Sequence, residues 1–442
     1  MEHNFFTLSK NNLAIFYRDG QKYHEEYLNL IQNAKKTIHL QTYIFMMDGF
    51  GSLVHNELMN AALRGVQVYL LVDSVGSRLL DKRSEMNLVN AGVHFLRFNE
   101  MQMKWLYSWG RRLHHKILLV DEEASFIGGI NVLASVDAES HTSQLDFAIF
   151  LKGPVIVRLT QYCQMIFKKA SQKKISFPPT QDSPSIQDGV DLKILVNDWV
   201  YRRWQITRQY SHLTQKAKHE ITIINSYFFP RKTFMKQLVE ARKRGVRVRL
   251  ILPKFSDWPS YILASEFLYA YFLRNGVEIY LWKKSILHGK LATIDENWAT
   301  IGSFNLNYTS YQQNLEMNVN IYSEKMTTYL KAEIEEIILT GCEKLDAKYF
   351  IEKCSLKVRI LRLFYYLVLS VVANFSIGLI YQEDNNKENK FYNLLRIVGS
   401  LFFFILGIIG LILPIIPGIP FLIISFLLVF KQIISNKKKE VL

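Results

Sequence analysis

The sequence predicts an α/β fold of two similar halves, followed by a hydrophobic membrane segment. Three observations carry this prediction: a five-residue motif that occurs twice at identical spacing, strand and helix patterns that recur in the same order, and an uncharged run near the C-terminus. Strands that alternate with helices favour α/β halves, each with a mainly parallel sheet covered by helices. The recurrence indicates an internal duplication.

The first half opens its repeat with a strand, a helix and a second strand. Residues 37–45 are rich in β-branched and aromatic residues and predict a strand, and residues 51–64 predict a helix. Gly65 ends that helix, and residues 66–72 predict the next strand. This order is a β-α-β unit.

The second half repeats the same order. Residues 221–229 predict a strand, residues 232–244 a helix that Gly245 ends, and residues 246–252 the following strand. A polar, proline-containing connector at residues 171–190 precedes it. We therefore expect a first catalytic half at residues 1–170 and a second at residues 191–356.

The C-terminal region, residues 357–442, has the composition of a membrane segment. Residues 363–381 carry almost no charge, and residues 397–430 contain no charged residue in 34 positions. One helix of the second run would be roughly 51 Å long, beyond a hydrocarbon core of about 30 Å. Pro414 and Pro417 interrupt this run, which predicts a helical hairpin with both basic flanks in the cytoplasm. A buried protein core is the alternative.

Charge, cysteine content and the N-terminal residues limit the partners, the metal or disulfide sites and the location that we expect. The formal charge of +15 and the pI near 9.4 favour a polyanionic partner, either nucleic acid or an anionic membrane surface. Cys163, Cys342 and Cys354 show neither a disulfide framework nor metal-ligand spacing. The N-terminus has no secretion-signal pattern, so we expect the catalytic part in the cytoplasm.

The repeated motif has the pattern His-x-Lys-x4-Asp-x6-Gly-x-x-Asn. Five fixed positions that recur at one spacing are hard to attribute to chance. In an extended strand, residues i and i+2 project from the same face, so the histidine and lysine of each copy can reach one phosphate. The two copies consist of His114, Lys116, Asp121, Gly128 and Asn131, and of His288, Lys290, Asp295, Gly302 and Asn305.

Two His–Lys units supply what covalent phosphodiester chemistry needs. One imidazole attacks phosphorus to give a phosphohistidine, and the other protonates the departing alkoxide and then deprotonates the incoming alcohol or water. Two lysines neutralise the non-bridging oxygens, to which Asn131, Ser303 and Asn305 add neutral hydrogen-bond donors. This scheme requires no cofactor or metal, and no carboxylate cluster offers a metal site.

Four carboxylates accompany the motifs. Asp121 and Asp295 lie seven residues past their histidines in predicted hairpin turns, where orienting the loop is at least as good an explanation as chemistry. Asp146 and Glu316 occupy matching places after each copy and begin a predicted strand. An imidazole in this role needs an acceptor on its second ring nitrogen, so we expect them to orient the histidines. The alternative is that they are solvated strand-edge carboxylates.

The segments around both motifs resemble the phospholipase D superfamily, and within it bacterial cardiolipin synthases of the B type. The likeness extends from about residue 12 to residue 323 and includes Leu113-His114-His115-Lys116, Asn225-Ser226-Tyr227 and Leu287-His288-Gly289-Lys290. It implies two phospholipase D-like halves around a pseudo-twofold axis, with one active site between them. It also implies phosphatidyl transfer between two phosphatidylglycerol molecules with release of glycerol. By this resemblance the active-site residues are His114, Lys116, Asp121, His288, Lys290 and Asp295, with His114 as the nucleophile.

Two segments depart from this pattern. The proline-interrupted hairpin after Arg396 is more hydrophobic than the resemblance implies. Between Phe98 and His114 the first half has about ten residues more than the second half has before His288, and these include Trp105 and Trp109. Aromatic residues beside arginines suit a membrane interface, so the insertion is hypothesised to enter the headgroup layer. A lid packed on the core explains it equally well.

The leading interpretation is a membrane-bound phosphatidyltransferase that makes cardiolipin at the bacterial inner membrane. Its expected partners are phosphatidylglycerol and anionic membrane lipids, and no nucleic acid is expected because the lipid-embedded tail argues against a nuclease. A phospholipase stays open, because water could take the second step. A non-enzymatic scaffold is disfavoured, because neither motif has lost its histidine or lysine.

Overall fold

A computed structural model describes most of the two repeated halves. The residues described are 7–99, 111–134, 144–171, 175–177, 179–180, 182–198, 200–201, 203–381, 399–403, 405 and 425. Both motif copies belong to one compact unit that extends to Asn374, and the chain from Phe375 belongs to a second unit.

In its described part, the first half forms a seven-stranded mixed sheet. The strand order is β4-β3-β2-β6-β7-β8-β1, in which β2, β3 and β4 are parallel and the other neighbours are antiparallel. The seven strands are β1 (Ser9–Arg18), β2 (Thr37–Thr42), β3 (Gln67–Asp73), β4 (His94–Phe98), β6 (Lys116–Val120), β7 (Ala124–Gly128) and β8 (Phe147–Lys152). The short β5 (Arg112–Leu113) lies outside this sheet.

The second half repeats this arrangement as β13-β12-β11-β14-β15-β16-β9, with β11, β12 and β13 parallel. β1 and β9 pair with each other, which joins the sheets of the two halves. The strands are β9 (Val190–Asp198), β10 (Arg203–Trp204), β11 (Glu220–Ile224), β12 (Arg247–Pro253), β13 (Glu278–Trp282), β14 (Leu291–Ile294), β15 (Trp298–Gly302), β16 (Asn314–Tyr322) and β17 (Cys342–Lys344).

The expectation of mainly parallel sheets was wrong, because only the β-α-β part of each half is parallel. The motif strand and its successor are joined by a tight turn, which permits only antiparallel pairing: Lys116 faces Gly128 across β6 and β7, and Leu291 faces Ile301 across β14 and β15. Each motif therefore lies on an antiparallel hairpin beside the parallel strands.

Helices cover the outer faces of the sheets and fill the space between the halves. Asp48 caps the first turn of α2 by accepting from the Gly51 N–H, and Gly65 and Gly245 end α2 and α6 with positive φ angles of 93° and 94°. The helices are α1 (Gln21–Gln32), α2 (Gly49–Leu63), α3 (Lys82–Asn90), α4 (Val155–Ala170), α5 (Gln205–Lys216), α6 (Lys232–Lys243), α7 (Pro259–Arg274), α8 (Tyr308–Gln312), α9 (Glu324–Gly341), α10 (Ala347–Glu352) and α11 (Leu356–Tyr381).

The largest apolar cluster contains residues of both halves. Ile117 and Ile149 of the first half share it with Leu291 and Met317 of the second. Two further clusters lie under the outer helices, one in each half. The shared cluster fixes the two motif hairpins in one rigid body, since close-packed interiors resist relative movement.

The remaining predicted segments are described only in part. In the connector, Phe177 packs against the rings of His39, Tyr69 and Phe167. Most of the predicted hairpin and the central part of the insertion, residues 100–110 with Trp105 and Trp109, lie outside the described residues. Among the described helices, none combines the length and the apolarity needed to cross a bilayer.

Candidate active site

Each motif histidine is positioned by backbone contacts with the opposite half. The His114 N–H donates to the Leu315 carbonyl of β16 at 2.9 Å, and β5 pairs with the start of β16 in parallel. The His288 N–H donates to the Leu145 carbonyl at 2.9 Å, where Leu145 bridges to Leu287. The two motif copies therefore meet at the junction of the halves.

The side chains of the two histidines also cross between the halves. His114 Nδ1 lies 2.9 Å from a Glu316 carboxylate oxygen, and His288 Nδ1 lies 2.6 Å from an Asp146 oxygen. Both carboxylates are almost fully buried. The structure thus places each carboxylate beside the imidazole of the other half, with Nε2 of each ring left for the reacting phosphorus or a proton.

Glu316 is held by more donors than Asp146. Its two oxygens accept from the Ser303, Ser310 and Asn314 side chains as well as facing His114. Ser303 was predicted to bind the substrate phosphate, but its hydroxyl instead donates to Glu316. This contact corrects that prediction, and it makes Ser303 a positioning residue.

The first half has glycine where the second has Ser303, for a steric reason. A Cβ on Gly129 would lie 2.2 Å from Asp146 Oδ1, well inside van der Waals contact. Asp146 instead accepts from its neighbour, the Phe147 N–H, at 2.8 Å. The two carboxylates are therefore fixed by different local networks.

The pKa values favour neutral imidazoles between ionised carboxylates at neutral pH. Burial lowers the pKa of His114 to about 4, and the Glu316 carboxylate opposes that shift only in part. Burial also lowers the pKa of His288. Burial acts to raise the pKa values of Asp146 and Glu316, but the facing imidazoles, the lysines and the hydrogen bonds hold both below their ordinary range.

The two lysines lie beside the imidazoles and act on each other. Lys116 Nζ donates to the His114 carbonyl at 2.6 Å, and Lys290 Nζ donates to the His288 carbonyl. Burial lowers the pKa of Lys116 to about 7, with the positive charge of Lys290 as the next cause, and burial lowers the pKa of Lys290 to about 8. A bound anion would stabilise the charged lysines and raise their pKa values again, so the site favours a phosphate between the two ammonium groups.

Both motif asparagines are buried, and each contacts a residue that follows the first parallel strand of its own half, β2 or β11. Asn131 Oδ1 accepts from the Ile44 N–H at 3.2 Å, and Asn305 Oδ1 accepts from the Ser226 hydroxyl at 2.8 Å. Because the carboxamide oxygens are engaged, the NH₂ groups remain as donors for a phosphate oxygen. Their role in phosphate binding stays a prediction.

The structure does not bring Asp121 and Asp295 to the histidines. Asp121 lies five residues beyond Lys116 along β6, roughly 16 Å away for an extended strand. Its carboxylate accepts from three consecutive backbone N–H groups, Lys35 to Thr37, at 2.7–2.9 Å. Asp295 does the same with residues 218–220. Their predicted catalytic role is corrected to a structural one: each fixes the start of a neighbouring strand.

Replacing Asp121 or Asp295 with alanine is expected to affect stability rather than chemistry. Three backbone donors lose a charged acceptor, which should cost about 1–2 kcal/mol of unfolding free energy for each variant. Urea denaturation followed by circular dichroism measures this cost, and turnover is measured at a temperature where the variants stay folded. A loss of turnover beyond about tenfold with unchanged stability would restore the catalytic assignment.

Two tyrosines adjoin the imidazoles and were not identified as site residues from the sequence. The ring of Tyr43 lies 5.0 Å from that of His114, and Lys116 Nζ lies 5.4 Å from the Tyr43 ring. The ring of Tyr227 lies 6.4 Å from that of His288. Both tyrosines follow matching strands, β2 and β11, but one position apart, since the register places Ser226 at the position of Tyr43. An aromatic residue shortly after each strand was the available signal.

Asp73 is a further buried carboxylate that the sequence did not single out. Its Oδ2 accepts from the Leu113 N–H at 2.8 Å, next to His114, and burial raises its pKa. The register of the two halves places Pro253 at the corresponding strand end. A repeat-based search misses Asp73 because the second half has no equivalent carboxylate.

The described residues contain no group of three or more His, Cys, Asp or Glu side chains arranged to hold a metal ion. The chemistry that the site can perform rests on imidazole, ammonium and carboxylate groups. Two neutral imidazoles, each held at Nδ1 by a carboxylate, fit nucleophilic attack by one ring and proton transfer by the other.

Comparison with known sequences gives matches over both halves. A family model described as "Cardiolipin synthase, PLD-like domain" matches residues 27–170 and 210–338. Cardiolipin synthase B of Escherichia coli (strain K12) is 31% identical over 333 residues, which cover 74% of this chain and 81% of the relative. Cardiolipin synthase 1 of Staphylococcus aureus (strain MRSA252) is 24% identical over 364 residues, covering 80% and 72%.

Comparison with solved structures shows the same fold. The crystal structure of a phosphatidylserine synthase from Haemophilus influenzae Rd KW20 superposes with a TM-score of 0.62 at 14% identity, covering 83% of this chain and 95% of that one. A polyphosphate kinase from Porphyromonas gingivalis superposes with a TM-score of 0.52 at 13% identity, covering 82% and 53%. At these identities the likeness concerns the fold alone.

Proposed function

This chain belongs to the phospholipase D-like family of cardiolipin synthases, and we propose that it transfers a phosphatidyl group from one phosphatidylglycerol to another, giving cardiolipin and glycerol. The observation that carries this proposal is the pair of crossed contacts, His114 with Glu316 and His288 with Asp146. These contacts hold one imidazole as the nucleophile and the other as the acid–base group at a single centre. The proposed catalytic unit comprises residues 1–170 and 191–356, joined by the connector at residues 171–190.

In the first step, Nε2 of one imidazole attacks the phosphorus of phosphatidylglycerol. A P–N bond forms, the bond from phosphorus to the glycerol headgroup oxygen breaks, and the second imidazole donates a proton to that oxygen. In the second step the same imidazole takes a proton from a hydroxyl of the next phosphatidylglycerol. That oxygen attacks phosphorus, the P–N bond breaks, and cardiolipin leaves.

The charges of the buried site support this sequence. Two ionised carboxylates offset two ammonium groups, so the site is close to neutral when both imidazoles are unprotonated. A phosphodiester anion raises the pKa values of the lysines and the imidazoles that it approaches, so both lysines become fully protonated and an imidazole accepts the next proton. Substrate binding thereby places the proton that the leaving glycerol oxygen requires.

We assign His114 as the nucleophile, as the family resemblance implies, and His288 as the acid–base group. Burial and the adjacent Lys116 lower the pKa of His114 to about 4, so this ring is unprotonated at neutral pH. An unprotonated ring is required for attack, whereas the other ring must accept a proton as substrate binds.

We further propose that the enzyme acts at the surface of the bacterial inner membrane. Phe255 and Trp258 lie in the loop after β12, at the end of the sheet that holds the catalytic residues, and each is 55% exposed. Leu356, Ile360 and Leu367 form an exposed apolar stripe on α11. A lipid headgroup layer would cover such surfaces, and the chain's positive charge favours anionic lipids.

Replacing Phe255 and Trp258 together with serine is expected to weaken binding to phosphatidylglycerol vesicles by about tenfold or more, since burial of two aromatic side chains is lost. Vesicle co-sedimentation measures the change. Leu63→Ser is the matched control, because Leu63 is exposed at the end of α2, next to the opposite end of its sheet. Equal binding of all three proteins would exclude this loop as a membrane contact.

The proposed activity is tested with purified full-length protein and phosphatidylglycerol vesicles. We expect cardiolipin and glycerol in equal amounts. Phosphatidic acid without cardiolipin would replace the proposal with lipid hydrolysis, in which water takes the second step. Release of nucleotides from single- or double-stranded DNA, with no lipid product, would replace it with a nuclease.

A further inference from the structure

The two sides of the site differ in the charges around Tyr43 and Tyr227. On the first-half side, Tyr43 interacts electrostatically with Arg112 and Arg78, which act to lower its pKa against the effects of burial and Asp73. On the second-half side, the Tyr227 hydroxyl donates to Asp257 Oδ1 at 2.6 Å. The first-half side therefore has two arginines and the buried Asp73 around its tyrosine, whereas the second-half side has the exposed Asp257 in direct contact with its tyrosine.

Asp257 belongs to a small preformed loop after β12. Ser256 Oγ also donates to Asp257 Oδ1, at 2.9 Å, and the Trp258 N–H donates to Ser256 Oγ at 3.1 Å. These contacts orient the carboxylate while the residue remains exposed. An ionised carboxylate has about four acceptor positions, so two donors on Oδ1 leave capacity for further hydroxyls.

Asp257 also lies close to the reacting centre. Its partner Tyr227 is partly buried, and the Tyr227 ring meets that of His288 edge-on at 6.4 Å. The negative charge of Asp257 acts on Lys290, where it opposes the effect of burial. Asp257 is therefore linked through the Tyr227 side chain to the imidazole that we assign to protonate the leaving glycerol oxygen.

A carboxylate at this position suits a polyhydric alcohol better than a second phosphate. Adjacent hydroxyls of a glycerol unit can each donate to one carboxylate, whereas a phosphate would be repelled by it. A monohydric alcohol can supply only the reacting hydroxyl and leaves Asp257 without a substrate donor. The cations on the opposite side suit the lipid phosphate instead.

We propose that Asp257, oriented by Tyr227 and Ser256, forms a subsite for the vicinal hydroxyls of a glycerol headgroup. The inference rests on the proposed function and deepens it. The subsite accepts from the two free hydroxyls of the glycerol that leaves the first phosphatidylglycerol. It then accepts from the one hydroxyl that remains beside the reacting hydroxyl in the headgroup of the second phosphatidylglycerol, whose third carbon carries the phosphodiester. Asp257 thereby selects glycerol-containing acceptors over water and simple alcohols.

The test is an acceptor competition on full-length protein. Phosphatidylglycerol vesicles are incubated with equal concentrations of labelled glycerol and 1-propanol, and labelled phosphatidylglycerol and phosphatidylpropanol are quantified. Both acceptors compete for the same intermediate, so the product ratio is independent of the rate of its formation. We expect wild-type protein to favour glycerol, and Asp257→Asn to lower the glycerol-to-propanol ratio by about tenfold or more. Tyr227→Phe should shift it less, in the same direction.

Asp188→Asn is the matched control, because Asp188 is exposed, lies in the connector and has a positive φ of 53° that asparagine also accepts. An Asp257→Asn ratio within about twofold of wild type, or an equal shift in the control, would overturn the subsite. The proposed function fails separately: wild-type protein that forms phosphatidic acid and no cardiolipin contradicts it, while the ratio of the two alcohol products still tests Asp257.

Discussion

His114→Ala and His288→Ala are each expected to lower cardiolipin synthesis by at least about 10³-fold. Each ring performs a separate task at one phosphorus, so neither can replace the other. The reason is geometric: His114 is fixed by Glu316 and His288 by Asp146, and no freedom remains for one imidazole to serve both positions. Product formation from phosphatidylglycerol vesicles measures the loss.

The two variants should differ in the intermediate that they accumulate. With phosphatidylglycerol labelled in an acyl chain, acid-labile label on the protein should be absent from His114→Ala, which lacks the nucleophile. His288→Ala should form it slowly and retain it, because proton transfer in both steps is impaired. His212→Ala, at an exposed histidine outside the site, is the control and should behave as wild type. Substantial turnover by either active-site variant would contradict the shared-site mechanism, and label retained only by His114→Ala would exchange the two roles.

Glu316→Gln and Asp146→Asn are expected to lower turnover by about 10²–10⁴-fold while leaving the fold intact. The amide cannot stabilise a charged imidazole, and its NH₂ group can face Nδ1 and select the wrong ring tautomer. Glu316→Gln should have the broader effect on the local structure, because Ser303, Ser310 and Asn314 also donate to Glu316. Turnover and thermal unfolding are measured together.

The pH dependence should separate the two carboxylates. Each raises the pKa of the imidazole that it faces, so removing either charge lowers that pKa further. The nucleophile must be unprotonated, so Glu316→Gln should move the acidic limb of the profile to lower pH. The acid must be protonated, so Asp146→Asn should move the alkaline limb to lower pH. Movement of the same limb in both variants would contradict the assignment of roles.

The sequence predicted the elements whose signal is local. β3 and β12 begin and end within one residue of the predicted strands at 66–72 and 246–252, and α2 and α6 end at Gly65 and Gly245 as predicted. These features depend on neighbouring residues: β-branched side chains favour strands, and glycine accepts the positive φ at a helix end. The antiparallel pairing of the motif hairpins was implied by their tight turns, yet the expectation of mainly parallel sheets extended the β-α-β pattern too far.

Contacts over long sequence distances could not be predicted in detail. Asp146 and Glu316 occupy equivalent positions in the two halves, but which imidazole each one faces depends on how the halves dock. The two contacts span 142 and 202 residues. The spacing of Asp121 and Asp295 within the motif indicated chemistry, whereas their backbone partners begin 86 and 77 residues away. Ser303 was misassigned because its partner lies on the adjacent strand β16.

Features that break the repeat were the hardest to find. Asp73 has Pro253 as its counterpart, and Asp257 belongs to a loop that differs between the halves. Comparison of the two halves identifies the residues that both copies share. It does not identify residues that give the two copies different functions. A reaction with two unlike steps at one phosphorus requires such residues.

Each half supplies the carboxylate that faces the histidine of the other half, and this determines when the protein becomes active during its synthesis. A nascent chain on the ribosome that has released only its first half contains His114 but not the Glu316 that faces its ring. Lipid-cleaving chemistry therefore waits until translation has passed β16, when both halves can assemble. The polypeptide therefore stays inactive until it can complete the transfer.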